Sequence, residues 1–131
     1  MHRIAYSEIV HKLKVSESDC MTAFEKALII HLIADWLLQN DWMARNKANL
    51  KHPAGYIHAT IHGVGMMLVF PVATAIGLAI IHLLIDTRKP LQWWSRVYRQ
   101  TTEGIYAPHV AIWTDQVLHI VILGIAVWVK S

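Results

Sequence analysis

Between Ala54 and Ile85 the chain has no Asp, Glu, Lys or Arg. One α-helix over that span would be roughly 48 Å long at about 1.5 Å per residue, well beyond a hydrocarbon core of about 30 Å. Pro71 stands in the middle of the run and has no backbone N–H to donate. The run therefore divides into a helix from Ala54 to about Phe70 and a second from about Val72 to Asp86. Each is near the lower limit of about 17 residues for crossing a bilayer. A single kinked helix is the alternative.

The second helix ends on His82-Leu83-Leu84-Ile85-Asp86. A histidine and an aspartate four apart share one helix face, one turn from each other. A carboxylate among leucines is costly unless a positive partner meets it. The device recurs in the other apolar runs. His31 and Asp35 lie among Leu, Ile and Ala; His58 and His62 open the run before Pro71; Asp115 and His119 lie near the start of the last one.

Those outer runs predict two further helices, one from about Met21 to Met43 and one from Pro108 to about Val129. In the first, Phe24, Leu28, His31, Asp35 and Gln39 follow three- and four-residue spacing and form one stripe. Ser18 or Asp19 is its expected N-cap. Asp41 to Pro53 reads as a polar connection, with Pro53 opening the next helix. Thr87-Arg88-Lys89-Pro90 closes the third helix with cations at its C-terminus. Leu91 to Tyr106 reads as a longer connection. The expected architecture is all-α: a four-helix transmembrane bundle, up-down-up-down, over residues 21–131. Residues 1–20 form a separate N-terminal segment, read either as an amphipathic helix on the membrane surface or as a solvated one. That segment carries charges of both signs and no signal-peptide pattern.

Composition agrees with a membrane setting. Hydrophobic residues make up 55% of the 131 and charged residues 16%, against about 25% charged in an ordinary soluble domain. The net charge of +3 does not point to nucleic acid, because the cations fall in the connections, as at a membrane surface. Most of the six Trp lie near the ends of apolar runs. The single Cys20 excludes an internal disulfide and a cysteine-rich zinc module. The basic connections put their end of the bundle on the cytoplasmic side, which gives a multi-pass protein of the inner membrane.

In an up-down-up-down bundle the four pairs share one level, near the connections between helices one and two and between three and four. His31, Asp35, His58, His62, His82, Asp86, Asp115 and His119 are therefore the candidate metal ligands. Imidazole and carboxylate donors suit zinc first, and also manganese or iron. Eight donors exceed one tetrahedral shell, so one or two ions are expected, with some donors orienting others. Asp35 is also a candidate general base. Gln39 and Gln116 neighbour the same faces. Lys47, Arg88 and Lys89 stand just beyond, able to hold an anionic group or to meet lipid headgroups. His2, His11, His52 and His109 read as surface or loop residues. Gly63, Gly65 and Gly77 read as close-packing positions.

The segments HLIADWLLQNDWMARNK, HATIHG, HLLIDTRKP and DQVLH resemble a domain-of-unknown-function family of small bacterial and phage membrane proteins. The shared pattern is HxxxDxxLQ…MAxxK, HxxxH, HxxxD and DQxxH. It falls on His31, Asp35, Gln39, Lys47, His58, His62, His82, Asp86, Asp115, Gln116 and His119. The resemblance implies an integral membrane protein similar in style to inner-membrane metal-dependent hydrolases, and names no substrate.

The resulting expectation is a metal-dependent hydrolase of a phosphoester or ester, working near the cytoplasmic interface, with Asp35, Lys47 and Gln39 as catalytic residues. Its substrate would be a lipid or a small phosphorylated metabolite, its surroundings membrane lipid, and an oligomer is compatible with the sequence. Two alternatives remain open at this point. One is a metal or proton transporter using the same residues. The other is a non-catalytic membrane protein whose polar residues join helices.

Overall fold

A computed structural model describes residues 21–130. The N-terminal segment 1–20, with His2, His11, Ser18, Asp19 and Cys20, lies outside the described residues. Among those described, the protein is all-α, with no strand. We number its helices α1 (Ala23–Leu32), α2 (Asp41–Asn46), α3 (Pro53–Met66), α4 (Val72–Asp86), α5 (Lys89–Val97) and α6 (Ala107–Lys130).

Local chemistry sets most boundaries. Thr22 caps α1 in a reciprocal box with Glu25: the Glu25 amide donates to Thr22 Oγ1 at 3.2 Å, and the Thr22 amide to Glu25 Oε2 at 2.6 Å. The helix thus starts at Ala23, with Thr22 in the place expected for Ser18 or Asp19. It does not run on to Met43. Residues Ile33–Leu37 widen into a π turn, closed by the Leu38 amide on the Ile33 carbonyl at 3.0 Å. The chain then breaks, and Asn40 caps the short α2 by accepting from the Met43 amide at 2.9 Å. His52 is the N-cap of α3, its Nδ1 accepting from the Ala54 amide at 3.2 Å, and Pro53 fills the first helical position.

Pro71 does split the long apolar run. α3 ends at Met66, a turn covers 67–70, and α4 begins at Val72. The segment expected to be a plain connection after Pro90 contains α5 instead. α5 follows α4 after Thr87 and Arg88, and Arg88 takes a left-handed conformation (φ 61°) to make the sharp corner.

The four longer helices pack as a ring. α1 lies against α3, α3 against α4, α4 against α6, and α6 back against α1. α2 packs on α3, and α5 on α4 and α6. Close approach in the ring depends on small residues. A Cβ on Gly65 would stand 2.5 Å from Ile30 Cγ2, and one on Gly63 3.0 Å from Ala79 Cβ. At Gly77 the expected close approach is absent, as nothing lies within 4 Å.

Among the described residues, only α6 is long and apolar enough to cross a membrane. Its 24 residues span about 36 Å. α3 and α4, with 14 and 15 residues, reach about 21–23 Å. The breaks after Leu37 and Met66 are what shorten the first two runs, so the expectation of four full-length spans finds support in one helix.

The interior has an unusual composition. One end of the ring is apolar, built on Ala27, Met66, Phe70, Ala75, Leu78 and Leu123. The other end buries His31, Asp35, His58, His62, His82, Asp86, Gln116 and His119. The outside is the reverse: Leu37, Leu68, Ile80, Trp113 and Val121 are among the many large apolar side chains left exposed.

Candidate metal centre

The polar end is the one where the α1–α3 and α4–α6 connections lie. Each ring helix sends in residues one turn apart: His31 and Asp35, His58 and His62, His82 and Asp86, and Asp115 and His119. Helix pairs of this spacing meet because they share a face and the ring turns that face inward. The π turn carries Asp35. It breaks the regular i→i+4 ladder where the carboxylate must reach α3 and α6 as well as its own helix.

Asp35 is the hub. Its Oδ1 lies 2.9 Å from His62 Nε2, 3.0 Å from His58 Nε2 and 3.8 Å from His82 Nε2. Its Oδ2 accepts from the Gln116 amide at 2.9 Å and lies 3.5 Å from His31 Nε2. Asp86 is the second hub. Its Oδ2 is 3.2 Å from His82 Nε2 and 3.5 Å from His58 Nε2. Its Oδ1 is 3.0 Å from Lys47 Nζ and 4.0 Å from His119 Nε2. Lys47 also stands 3.4 Å from His58 Nε2. The rings pack tightly: His62 and His82 stack with centroids 3.6 Å apart, and His31 stacks on His119 at 5.1 Å.

Two sets of donor atoms are close enough together to share an ion: Asp35, His58, His62 and His82, and His82, Asp86 and His119. Bonds of about 2.0–2.1 Å to a tetrahedral cation put neighbouring ligand atoms about 3.3–3.4 Å apart. The distances of 2.9–3.8 Å from Asp35 Oδ1 to His58, His62 and His82 bracket that edge, and all four donors lie within 4.8 Å of one another. His82 is common to both sets, so the two share a ligand residue. Asp115 is in neither. Its Oδ2 is 3.9 Å from His119 Nδ1.

His119 gives the most specific chemical test. Its Nδ1 lies 2.9 Å from the Asp115 main-chain carbonyl. A carbonyl only accepts, so Nδ1 carries the proton and Nε2 presents its lone pair inward. That Nε2 is buried with no hydrogen-bond partner, as are His31 Nε2 and His82 Nε2. The neutral His119 lone pair faces the Asp86 carboxylate at 4.0 Å, on the same oxygen that meets Lys47. His58 Nε2 lies between Asp35 at 3.0 Å and Lys47 Nζ at 3.4 Å, and its Nδ1 is buried without a partner. A cation among these groups would meet nitrogen lone pairs and carboxylates together. A small cavity of about 20 Å³, room for about one water-sized particle, lies where His31, His62, His82 and His119 meet apolar side chains such as Met66, Leu78 and Leu123, and neither Asp35 nor Asp86 lines it.

The model of a family described as "Protein of unknown function (DUF3307)" matches residues 23–131. The chain belongs to that family. The match covers α1 through α6 of this DUF3307 chain, and with them every residue of the cluster. No curated protein and no solved structure matches it.

Of the residues read from the sequence in this DUF3307 chain, seven of the eight metal candidates converge on the two carboxylates. Lys47, expected to await an anionic group, is paired with Asp86. Gln39 lies nearby in the chain, and its Oε1 is buried without a hydrogen-bond partner. Gln116, named only as a neighbour, is a direct donor to Asp35. Sequence spacing could flag it through its adjacency to Asp115 but not through any pairing. Arg88 and Lys89 are exposed at the start of α5.

Proposed function

We propose that this protein is a membrane-embedded, divalent-metal-dependent hydrolase whose centre is the His/Asp cluster. The observation that carries the metal reading is His119, whose Nδ1 is committed to a carbonyl and whose buried Nε2 faces a carboxylate. Formal charge supports it as well. With neutral imidazoles, Asp35, Asp86 and Asp115 against Lys47 leave two negative charges, which one divalent ion offsets.

The membrane reading is supported by the inverted distribution of polarity. Ionisable groups point into the ring and apolar side chains point out, the reverse of a water-facing bundle. α6 can cross, and the shorter helices fit if the bilayer thins or flanking side chains reach for the interface. The cluster lies at the end rich in Arg45, Lys47, Lys51, Arg88 and Lys89. The positive-inside rule makes that end cytoplasmic.

A divalent ion held here would supply a Lewis acid and a water made acidic enough to attack near neutral pH. Asp35, His58, His62 and His82 are the residues to hold it, with Asp86 and His119 beside them. Gln116 fixes the Asp35 carboxylate. Lys47 neutralises Asp86 and brings a cation to the edge of the site, where a phosphoryl oxygen could be met. The ionisable groups of the cluster lie at one level, with no separate metal-ligating cluster among the described residues to carry an ion onward. This favours chemistry over transport.

The test is to purify the protein in detergent, measure its metal content, and assay the metal-loaded form against phosphoester and carboxyl-ester substrates, lipid and soluble. Expected are a stoichiometric transition metal and a hydrolysis lost in Asp35→Asn. Metal-free protein that stays folded and takes up no added ion ends the reading. Metal binding with no turnover of any ester ends only its hydrolytic half.

A further inference from the structure

A groove far larger than the cavity at the histidines opens elsewhere among the described residues. It lies between α5 and α6, has a volume of about 520 Å³, and is walled by Trp93 and Trp94 from one side and Trp113 and Val117 from the other. That volume is in the range of small-molecule sites, about 300–1,000 Å³. Gln100 and Thr114 are its polar groups. Both are held: Ser95 Oγ donates to Gln100 Oε1 at 3.2 Å, and Thr114 Oγ1 donates to the Val110 carbonyl at 2.7 Å. On α6 the lining residues Thr114, Val117, Leu118 and Val121 form a stripe beside the one carrying Asp115 and His119.

The groove's lining carries no charge, and the segment that supplies its α5 wall is basic, with Glu103 just beyond it. From Thr87 to Thr102 the sequence holds Arg88, Lys89, Arg96 and Arg99 and no acidic residue. α5 buries only Leu91, while Trp93, Trp94, Val97 and Tyr98 stay exposed beside the cations. Trp94 stacks on Tyr98 with centroids 4.2 Å apart, so the aromatic wall is ordered. A short helix with tryptophans and arginines, lying across a greasy slot, fits one kind of molecule: a long apolar chain below and an anionic head above.

We infer that the α5–α6 groove is a binding site for an anionic glycerophospholipid. One acyl chain lies between Trp93, Trp94 and Trp113, and the phosphate meets Arg96 and Arg99. The inference goes beyond the metal-hydrolase reading and does not rest on it, since no histidine or carboxylate of the cluster takes part.

Native mass spectrometry of the full chain in a neutral detergent tests it, with phosphatidylglycerol and phosphatidylcholine of identical acyl chains added at equal concentration. The expected result is one phosphatidylglycerol retained per chain, with phosphatidylcholine weaker by about tenfold or more. Replacing Arg96 and Arg99 together by Ala should bring the two lipids to similar retention. Val117→Trp, which fills the groove, should lose both. Circular dichroism checks the helix content of each variant, and Trp94→Ala replaces Val117→Trp if that variant is unfolded. Equal retention of the two lipids by the wild type overturns the inference. So does phosphatidylglycerol retention unaffected by the charge and groove variants, or a dimer that excludes lipid from the site.

Discussion

Gln116 on α6 donates its side-chain amide to Asp35 Oδ2 at 2.9 Å, joining residues 81 positions apart in sequence. The bond is buried, and Asp35 Oδ1 is already taken by His58 and His62. Gln116 is therefore what orients the hub carboxylate from the far side of the ring. Replacing it by Leu removes a hydrogen bond to a charged group, worth about 1.5–3 kcal/mol. The expected outcome is lower thermal stability and a metal affinity reduced about 10–100-fold, as for other groups that orient a ligand. Thermal unfolding and metal titration of the same preparation measure the two effects. A Gln116→Leu protein with unchanged metal affinity would place the Asp35 carboxylate outside the ligand set.

Lys47 and Asp86 make the second informative pair, at 3.0 Å with both side chains largely buried. Removing one member of a buried pair leaves an uncompensated charge and costs about 3–5 kcal/mol. Lys47→Met should therefore destabilise the metal-free protein severely. Adding Asp86→Asn should restore much of the loss, because both charges then go. A bound divalent ion beside Asp86 should also soften the single-variant effect. Unfolding of the four combinations, with and without metal, checks all of this. Additive losses in the double variant would mean that the two residues do not act as a pair.

These two pairs show what the sequence could and could not disclose. The four couples and their common level were legible, because spacing of four fixes a helix face and Pro71 fixes where a long run must divide. The convergence of His31, His58, His62, His82 and His119 followed from that alone. Partner choice across the ring was not legible. Nothing local says that Lys47 meets Asp86 rather than a substrate, or that Gln116 rather than Gln39 reaches Asp35. The π turn at Ile33–Leu37 was hidden for the same reason: its residues are ordinary helix formers, and tertiary contacts choose the wider turn. α5 was missed because its four-cation environment reads as a connection, while its apolar side chains face a groove that only folding creates.

Gly55 tests how the site is held from outside. A Cβ there would stand 2.7 Å from the Lys47 carbonyl oxygen and 3.2 Å from Leu83 Cδ1. The first neighbour is backbone and cannot swing aside. Gly55→Ala must therefore push the segment after α2 away from α3, and Lys47 with it. An overpacking cost of about 1–3 kcal/mol is expected, together with a weaker Lys47–Asp86 pair. Thermal unfolding gives the cost. Repeating the substitution in the Lys47→Met background separates the two parts: the charge-linked part should vanish there, and only the steric part should remain.

Acidification supplies the last test, and its sign follows from the ligand set. An imidazole must be neutral to bind a cation, so protons and metal compete for the same nitrogens. Metal affinity should thus fall once the medium is acid enough to protonate the buried imidazoles of the cluster. The fall should be steep, because His58, His62 and His82 are in one donor set. His119→Gln keeps a polar group but replaces the imidazole nitrogen by a weaker amide oxygen donor, so it should weaken binding wherever the wild type binds. Isothermal titration of zinc, carried from about pH 8 down to the point where circular dichroism shows the metal-free protein unfolding, follows both effects. A profile that stays flat over that whole range, with His119→Gln binding as the wild type does, would mean that carboxylates alone hold the ion, and the histidines would then be left to join helices.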